Sequence, residues 1–162
     1  MSSWIAQLPA VNSGAAKIEG DYLLMMADHI FEPGILERLA RQDTKSRGVT
    51  LAIDRRLDNP LIDPADATWV KTDADGRIEA IGKSIPEYDA VDCGAFLATP
   101  ELANAIRAVI AEGAAGSLSE GMQRLADAGR AATMDIGDAW WIDVDDPHAH
   151  AQAEAALSER AF

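Results

Sequence analysis

Two groups of acids in this chain have the types and the setting for chemistry. Asp28 and His29 follow directly on Tyr22–Met26, five apolar residues without a break, in "DYLLMMADHIFEPG". A carboxylate just past the end of a buried strand is well placed for a hard cation such as magnesium, which takes oxygen ligands and keeps several waters. It is also well placed to cap the helix that Glu32-Pro33 announces, so two readings stand for Asp28 taken alone. The second group lies in "WWIDVDDP". Side chains two apart in an extended segment point the same way, so Asp143 and Asp145 share a face and repel unless a cation or donor sits between them. Asp146, before Pro147, reads as a helix cap. The alternative for the whole tract is a set of solvated loop acids.

Basic groups are scarce, and three are candidates for phosphate: Lys83, after a glycine in "AIGKS", and Arg55 and Arg56 in "AIDRR". His29 reads either as a substrate contact or second-layer group, or as a packed strand-end histidine. His148 and His150 lie two apart near a helix start, a spacing that does not face them together on a helix. The sequence contains no Ser-His-Asp arrangement, zinc-ligand spacing, GxGxxG or GxxxxGKS/T.

The elements that must position these groups follow from pattern. Tyr22–Met26, continuously apolar, predicts a strand buried on both faces. Pro33 opens a helix to about Arg41, with Glu37 and Arg41 paired four apart. "GVTLAID", 48–54, predicts a second strand, and "DRRLDNPLIDPAD" a loop. "ATWVKTDADGRIEAIGK" predicts a hairpin, with arms at 68–72 and 77–82 and an Asp-Gly turn between them. "AVDCGAFLA", 90–98, is another strand, and Thr99-Pro100 caps a helix to about Ala111. A further helix runs from about Ser119, its expected N-cap, to Ala128. "RAATMDIG" is a strand, "AWWIDVDDP" a short extended piece, and Pro147 opens a final helix to about Arg160. Helices alternating with strands around one hairpin predict an α/β fold with a mixed sheet.

The bulk numbers narrow the partners. In 162 residues, 48% hydrophobic, 27 acidic side chains face 14 basic ones, a net charge of -13. That excludes nonspecific nucleic-acid binding and anionic membrane surfaces. It also demands a divalent cation or a few well-placed Lys and Arg for any phosphorylated ligand. One cysteine, Cys93, predicts no internal disulfide and a reducing compartment. The first residues lack the basic and apolar regions of a signal peptide, and no apolar run reaches membrane-spanning length. A cytoplasmic protein without a membrane segment is the expectation.

Taken in order, "LLMMADHIFEP", "ATWVKTDADGRIEAIGK", "YDAVDCGAFLATPEL", "GSLSEGMQRLADAG" and "AWWIDVDDP" resemble a sugar-phosphate nucleotidyltransferase domain. The resemblance is closest to the inositol-1-phosphate cytidylyltransferase branch and covers about Asp21 to Leu157. It implies a partial nucleotidyltransferase (Rossmann-like) fold with a mixed, mostly parallel sheet and an inserted hairpin. It implies a reaction in which a phosphate oxygen of a sugar or polyol phosphate, for example inositol 1-phosphate, attacks the α-phosphorus of a nucleoside triphosphate and pyrophosphate leaves. It places magnesium on Asp28 and Asp143 with help from Asp145, the acceptor's phosphate on Lys83, and the acceptor's hydroxyls near Asp92. It also implies a departure: the family's glycine-rich, arginine-bearing nucleotide loop has no counterpart here. Residues 1–20 match poorly, while 21–162 correspond to the C-terminal two-thirds of the domain. An unpaired apolar edge beside Tyr22–Met26 is then expected. Three explanations remain open: a sequence that starts late, a separate polypeptide or second copy that completes the sheet, or a remnant that binds phosphate ligands without catalysis.

Overall fold

The computed structural model describes residues 17–44 and 47–160, so most of the poorly matching 1–20 segment lies outside them. In chain order the elements are β1 (Tyr22–Met25), β2 (His29–Phe31), α1 (Pro33–Ala40), β3 (Val49–Asp54), β4 (Trp69–Thr72), β5 (Ile78–Gly82), β6 (Ala90–Ala98), α2 (Pro100–Ala111), α3 (Leu118–Asp127), β7 (Ala131–Asp135), β8 (Trp141–Asp143) and α4 (Pro147–Glu159). The α/β class is as the sequence predicts.

The main sheet has the order β5-β4-β6-β3-β7, with β1 also paired to β6. β6 is nine residues long and serves as the spine. One of its edges takes β3. Its other edge is shared, with β1 against Ala95–Ala98 and β4 against Ala90 and Val91. β1, β3, β4 and β7 run in one direction, while β5 and β6 oppose them. The expected parallel character therefore holds for strand direction but not for contact. Because β6 runs against its neighbours, β3–β7 is the one parallel pairing among the described residues. The β3–β6 register shifts between Leu51 and Ile53, opposite Gly94, whose φ of +75° only glycine adopts without strain.

The sheet is covered on both faces. Val49, Leu51, Ile53 and Phe96 pack with Leu102 and Ile106 of α2 and Met122 and Leu125 of α3. On the other face Ala52, Cys93, Ala95 and Leu97 pack with Ile35 and Leu39 of α1 and with Trp141. β3 is buried at every position, as expected of a central strand in an α/β sheet.

β1 departs from expectation. Its burial alternates, with Leu23 41% and Met25 50% exposed. Among the described residues its outer edge meets no strand, so one face lacks the cover that a continuously apolar strand asks for. The cap of α3 also shifts by two residues. Ser117 accepts from Glu120 N at 3.1 Å, and the Glu120 carboxylate accepts from Ser117 N at 2.6 Å, a reciprocal capping box.

Candidate active site

β2 was not legible as a strand, and it is the element that assembles the site. Three residues of it pair antiparallel with β8, matching His29 to Asp143, Ile30 to Ile142 and Phe31 to Trp141. This two-stranded ribbon carries Asp28 and Asp143, which are far apart in sequence, to the same place. Two further backbone bonds pin the turn after β1: Met26 N donates to Gly94 O at 2.9 Å and Val144 N to Asp28 O at 2.8 Å. The helix-cap reading of Asp28 is set aside, because β2 intervenes and the N-cap of α1 is Glu32.

His29 lies between the two acids. Its Nδ1 is 3.0 Å from Asp28 Oδ1 and 3.5 Å from Asp143 Oδ1. The ring is buried, its side chain only 8% accessible. Burial lowers its pKa against the opposing pull of Asp28, so the neutral imidazole is favoured. A neutral ring donating Nδ1–H to Asp28 leaves Asp143 Oδ1 buried and without a hydrogen-bond partner. Burial and the charges of Asp145 and Asp28 push the Asp143 carboxyl up to about 8.

Asp66, in the loop after β3, joins this cluster. Carboxylate oxygens of Asp66, Asp143 and Asp145 lie within 4.8 Å of one another, as do ligand atoms of Asp28, His29 and Asp143. A hydrogen bond to Asp66, followed by burial, raises Asp145 to about 6, while that same bond and Lys83 hold Asp66 below its usual range. Asp66 carries no signal in the sequence, because one aspartate in an Asp-rich loop has no distinguishing spacing. The set suits a hard divalent cation: several carboxylate oxygens converge, and one of them is buried with its lone pairs unused.

Lys83 forms an ion pair with Asp66 and is about half exposed. It is the one Lys or Arg among the described residues lining a cavity of about 920 Å³. Asp92, His29, Asp143 and Asp145 line the same cavity, while Leu23, Met25 and Phe96 form an apolar flank that continues to the open edge of β1. Asp92 accepts from Gly94 N at 2.6 Å, and burial pushes its carboxyl up to about 7.

The other phosphate candidates are used elsewhere. Arg55 reaches Asp89 and Thr72 at 2.9 and 3.1 Å. Arg56 grips Asp54, and neither arginine lines the cavity. Asp146 caps α4, accepting from Ala149 N at 2.7 Å, as expected. His148 lines the cavity, whereas His150 sits outside it, 3.7 Å from Glu154.

The chain is similar to several known proteins. No family model matches the chain. A "Bifunctional IPC transferase and DIPP synthase" of Aquifex aeolicus is 29% identical over 146 residues, 90% of this chain and 31% of the relative. A protein of the same name from Rubrobacter xylanophilus is 33% identical over 129 residues, 78% of this chain and 28% of the relative. The chain thus spans roughly a third of the length of the curated relatives it matches. The solved inositol-1-phosphate CTP transferase of T. maritima superposes with a TM-score of 0.76 at 25% identity, covering 93% of this chain and 60% of that one.

Proposed function

We propose that this chain, which belongs to the sugar-phosphate nucleotidyltransferase family on its inositol-1-phosphate cytidylyltransferase branch, builds the acceptor and cation side of a nucleotidyltransferase site. The reaction is transfer of a nucleoside monophosphate from a nucleoside triphosphate to a sugar or polyol phosphate, with inositol 1-phosphate the favoured acceptor. An acceptor phosphate oxygen forms a bond to the α-phosphorus, the bond to the pyrophosphate oxygen breaks, and pyrophosphate leaves. One observation carries this reading: the β2–β8 pairing sets Asp28 and Asp143 on either side of His29, and His29 and Asp143 line the cavity that also holds Lys83 and Asp92.

Each residue has a role that its setting supports. Asp28 and Asp143 would hold magnesium, with Asp145 and Asp66 beside them. Bound there, the cation neutralises charge on the triphosphate and the leaving pyrophosphate. Lys83, released from Asp66, meets the acceptor's phosphate, and Asp92 meets its hydroxyls. His29 acts as a spacer rather than a substrate contact, because its ring is buried. The rest is positioning, with no covalent intermediate on the protein. The soluble substrates and the buried free Cys93 favour the cytoplasm.

Lys83 alone cannot balance a triphosphate against five nearby acids. The nucleotide cradle is therefore supplied by polypeptide beyond the described residues, set against the open edge of β1. The same shortage of cations favours a second reading, a module that binds phosphate ligands without turnover. Pyrophosphate release from CTP and inositol 1-phosphate separates the two. The chain is assayed with magnesium, alone and with the part of the T. maritima domain that it does not match added as a separate polypeptide. Release that requires the added piece and disappears with Asp28→Ala supports the enzyme reading. Equal release with Asp28→Ala would refute the cation assignment, and no release in any mixture would favour the binding module.

A further inference from the structure

Asp54, at the end of β3, has no part in the site as described, yet it is completely buried and fully bonded. Its Oδ1 accepts from Arg56 N and Arg56 Nε, both at 2.9 Å. Its Oδ2 accepts from Arg56 Nη2 at 2.9 Å, Asn59 Nδ2 at 3.2 Å and Trp141 Nε1 at 2.9 Å. Arg56 Nη2 also donates to Ala139 O at 2.7 Å, tying the group to the turn that leads into β8.

We infer that Asp54 is a positioning residue: through the indole of Trp141 it fixes the ring of His29, and through His29 the separation of the Asp28 and Asp143 carboxylates. Trp141 is 4% exposed, and its ring stacks on His29 with centroids 5.7 Å apart and planes 17° from parallel. Gly94 also lies against the ring: a Cβ there would stand 2.5 Å from His29 Cδ2 and 2.8 Å from Nε2. The imidazole is held against an aromatic face and a bare backbone, with only its Nδ1 edge directed at the two acids.

Stability alone is a weak reason for this arrangement. Burying an ion pair in place of apolar groups of similar volume is often neutral or unfavourable. A packed aliphatic side chain at position 54 would bury Trp141 equally well. It would not fix the rotation of the indole, and that rotation sets the plane against which His29 rests. A directional hydrogen bond from Nε1 to a carboxylate that is itself clamped by Arg56 and Asn59 does so. Outer groups that orient metal ligands commonly change metal affinity on removal, by roughly 10–100-fold.

The functional half of this inference rests on the cation reading above, so the test carries two independent readouts on the full chain. The first is the chemical shift of the His29 ring protons, displaced by the ring current of Trp141. The second is the affinity for Mn2+ measured by paramagnetic relaxation, with Asp28→Asn as the control that identifies the site. Asp54→Asn and Trp141→Phe are each expected to move the His29 resonances and to weaken Mn2+ binding by about tenfold. The double variant should be no weaker than either single one, because both act through one hydrogen bond. Asp54→Asn leaving both readouts unchanged, or the two losses adding, would overturn the inference. If Asp54→Asn does not fold, Asn59→Ala, which removes one donor that clamps Asp54 and leaves the indole in place, decides by the same measures. If Asp28→Asn leaves Mn2+ binding intact, the cation reading fails, and the His29 resonances still decide whether Asp54 sets the ring.

Discussion

Replacing Gly94 by alanine should be far more damaging than the same change at Gly129, and the difference measures how tightly His29 is held. Both glycines have positive φ, +75° and +68°. A side chain in that left-handed region is strained by about 1–2 kcal/mol. At Gly129 the strain is the whole effect, since nothing lies within 4 Å of a built Cβ. At Gly94 the Cβ would overlap three atoms of the His29 ring, at 2.5, 2.8 and 3.0 Å. The ring has little room to yield, because Trp141 stacks on it and its Nδ1 bonds Asp28. Overpacking of this kind adds about 1–3 kcal/mol, so Gly94→Ala should lose roughly 2–5 kcal/mol in total. For a domain of this size each kcal/mol lowers Tm by about 2–4 °C. Urea titration of both variants, with and without magnesium, is the assay. Stabilisation by magnesium should also shrink in Gly94→Ala and persist in Gly129→Ala, because only the first displaces the group between Asp28 and Asp143. Equal losses at the two positions, within about 0.5 kcal/mol, would refute the claim that His29 is wedged.

Three further outcomes are expected. Without a cation, stability should fall by roughly 2 kcal/mol between pH 6.5 and 8. Asp92 and Asp143 have folded-state values raised to about 7 and about 8, so in this window the folded chain holds protons that the unfolded chain has lost and the slope is negative. His29, with its lowered value, opposes this only below about 6.5; urea midpoints that stay flat or rise to pH 8 would contradict the assignment. Ser117→Ala should lower stability by about 1 kcal/mol, whereas Ser119→Ala should change it by less than about 0.5; the reverse order in thermal melts would refute the observed cap. Leu23→Lys and Met25→Lys, on the exposed face of β1, should leave monomer stability within about 0.5 kcal/mol and suppress self-association in sedimentation velocity. An unchanged association profile would remove the β1 edge as the pairing surface.

Strands β3, β6 and β7, the β4–β5 hairpin and the proline-opened helices were legible, because periodicity and Pro, Thr and Asp-Gly signals act over a few residues. Helix α3 was legible in place but not in cap, since two serines stand at its start, Ser117 before it and Ser119 in its first turn, and only Ser117 has Glu120 three residues on. β1 was legible as a strand but not in its burial. Burial belongs to what lies alongside, and among the described residues β6 covers one edge of β1 while no strand lies along the other. β2 was not legible at all: three residues before a helix cap carry no period, and they become a strand only because β8 pairs with them.

The site divides along the same line. The sequence by itself determined that Asp28 follows a strand, that Asp143 shares a face with Asp145 in an extended segment, that Lys83 ends a hairpin strand, and that a chain of net charge -13 needs a divalent cation or a few well-placed Lys and Arg to hold phosphate. Tertiary structure alone decided that Asp28 and Asp143 meet across His29, that Asp66 joins them, and that Arg56 is spent on a buried carboxylate while Lys83 is not. The physical reason is range. Strand and cap signals are written in neighbours a few residues apart, whereas the energy of a carboxylate depends on which charges and how much water surround it, and those come from segments a hundred residues away.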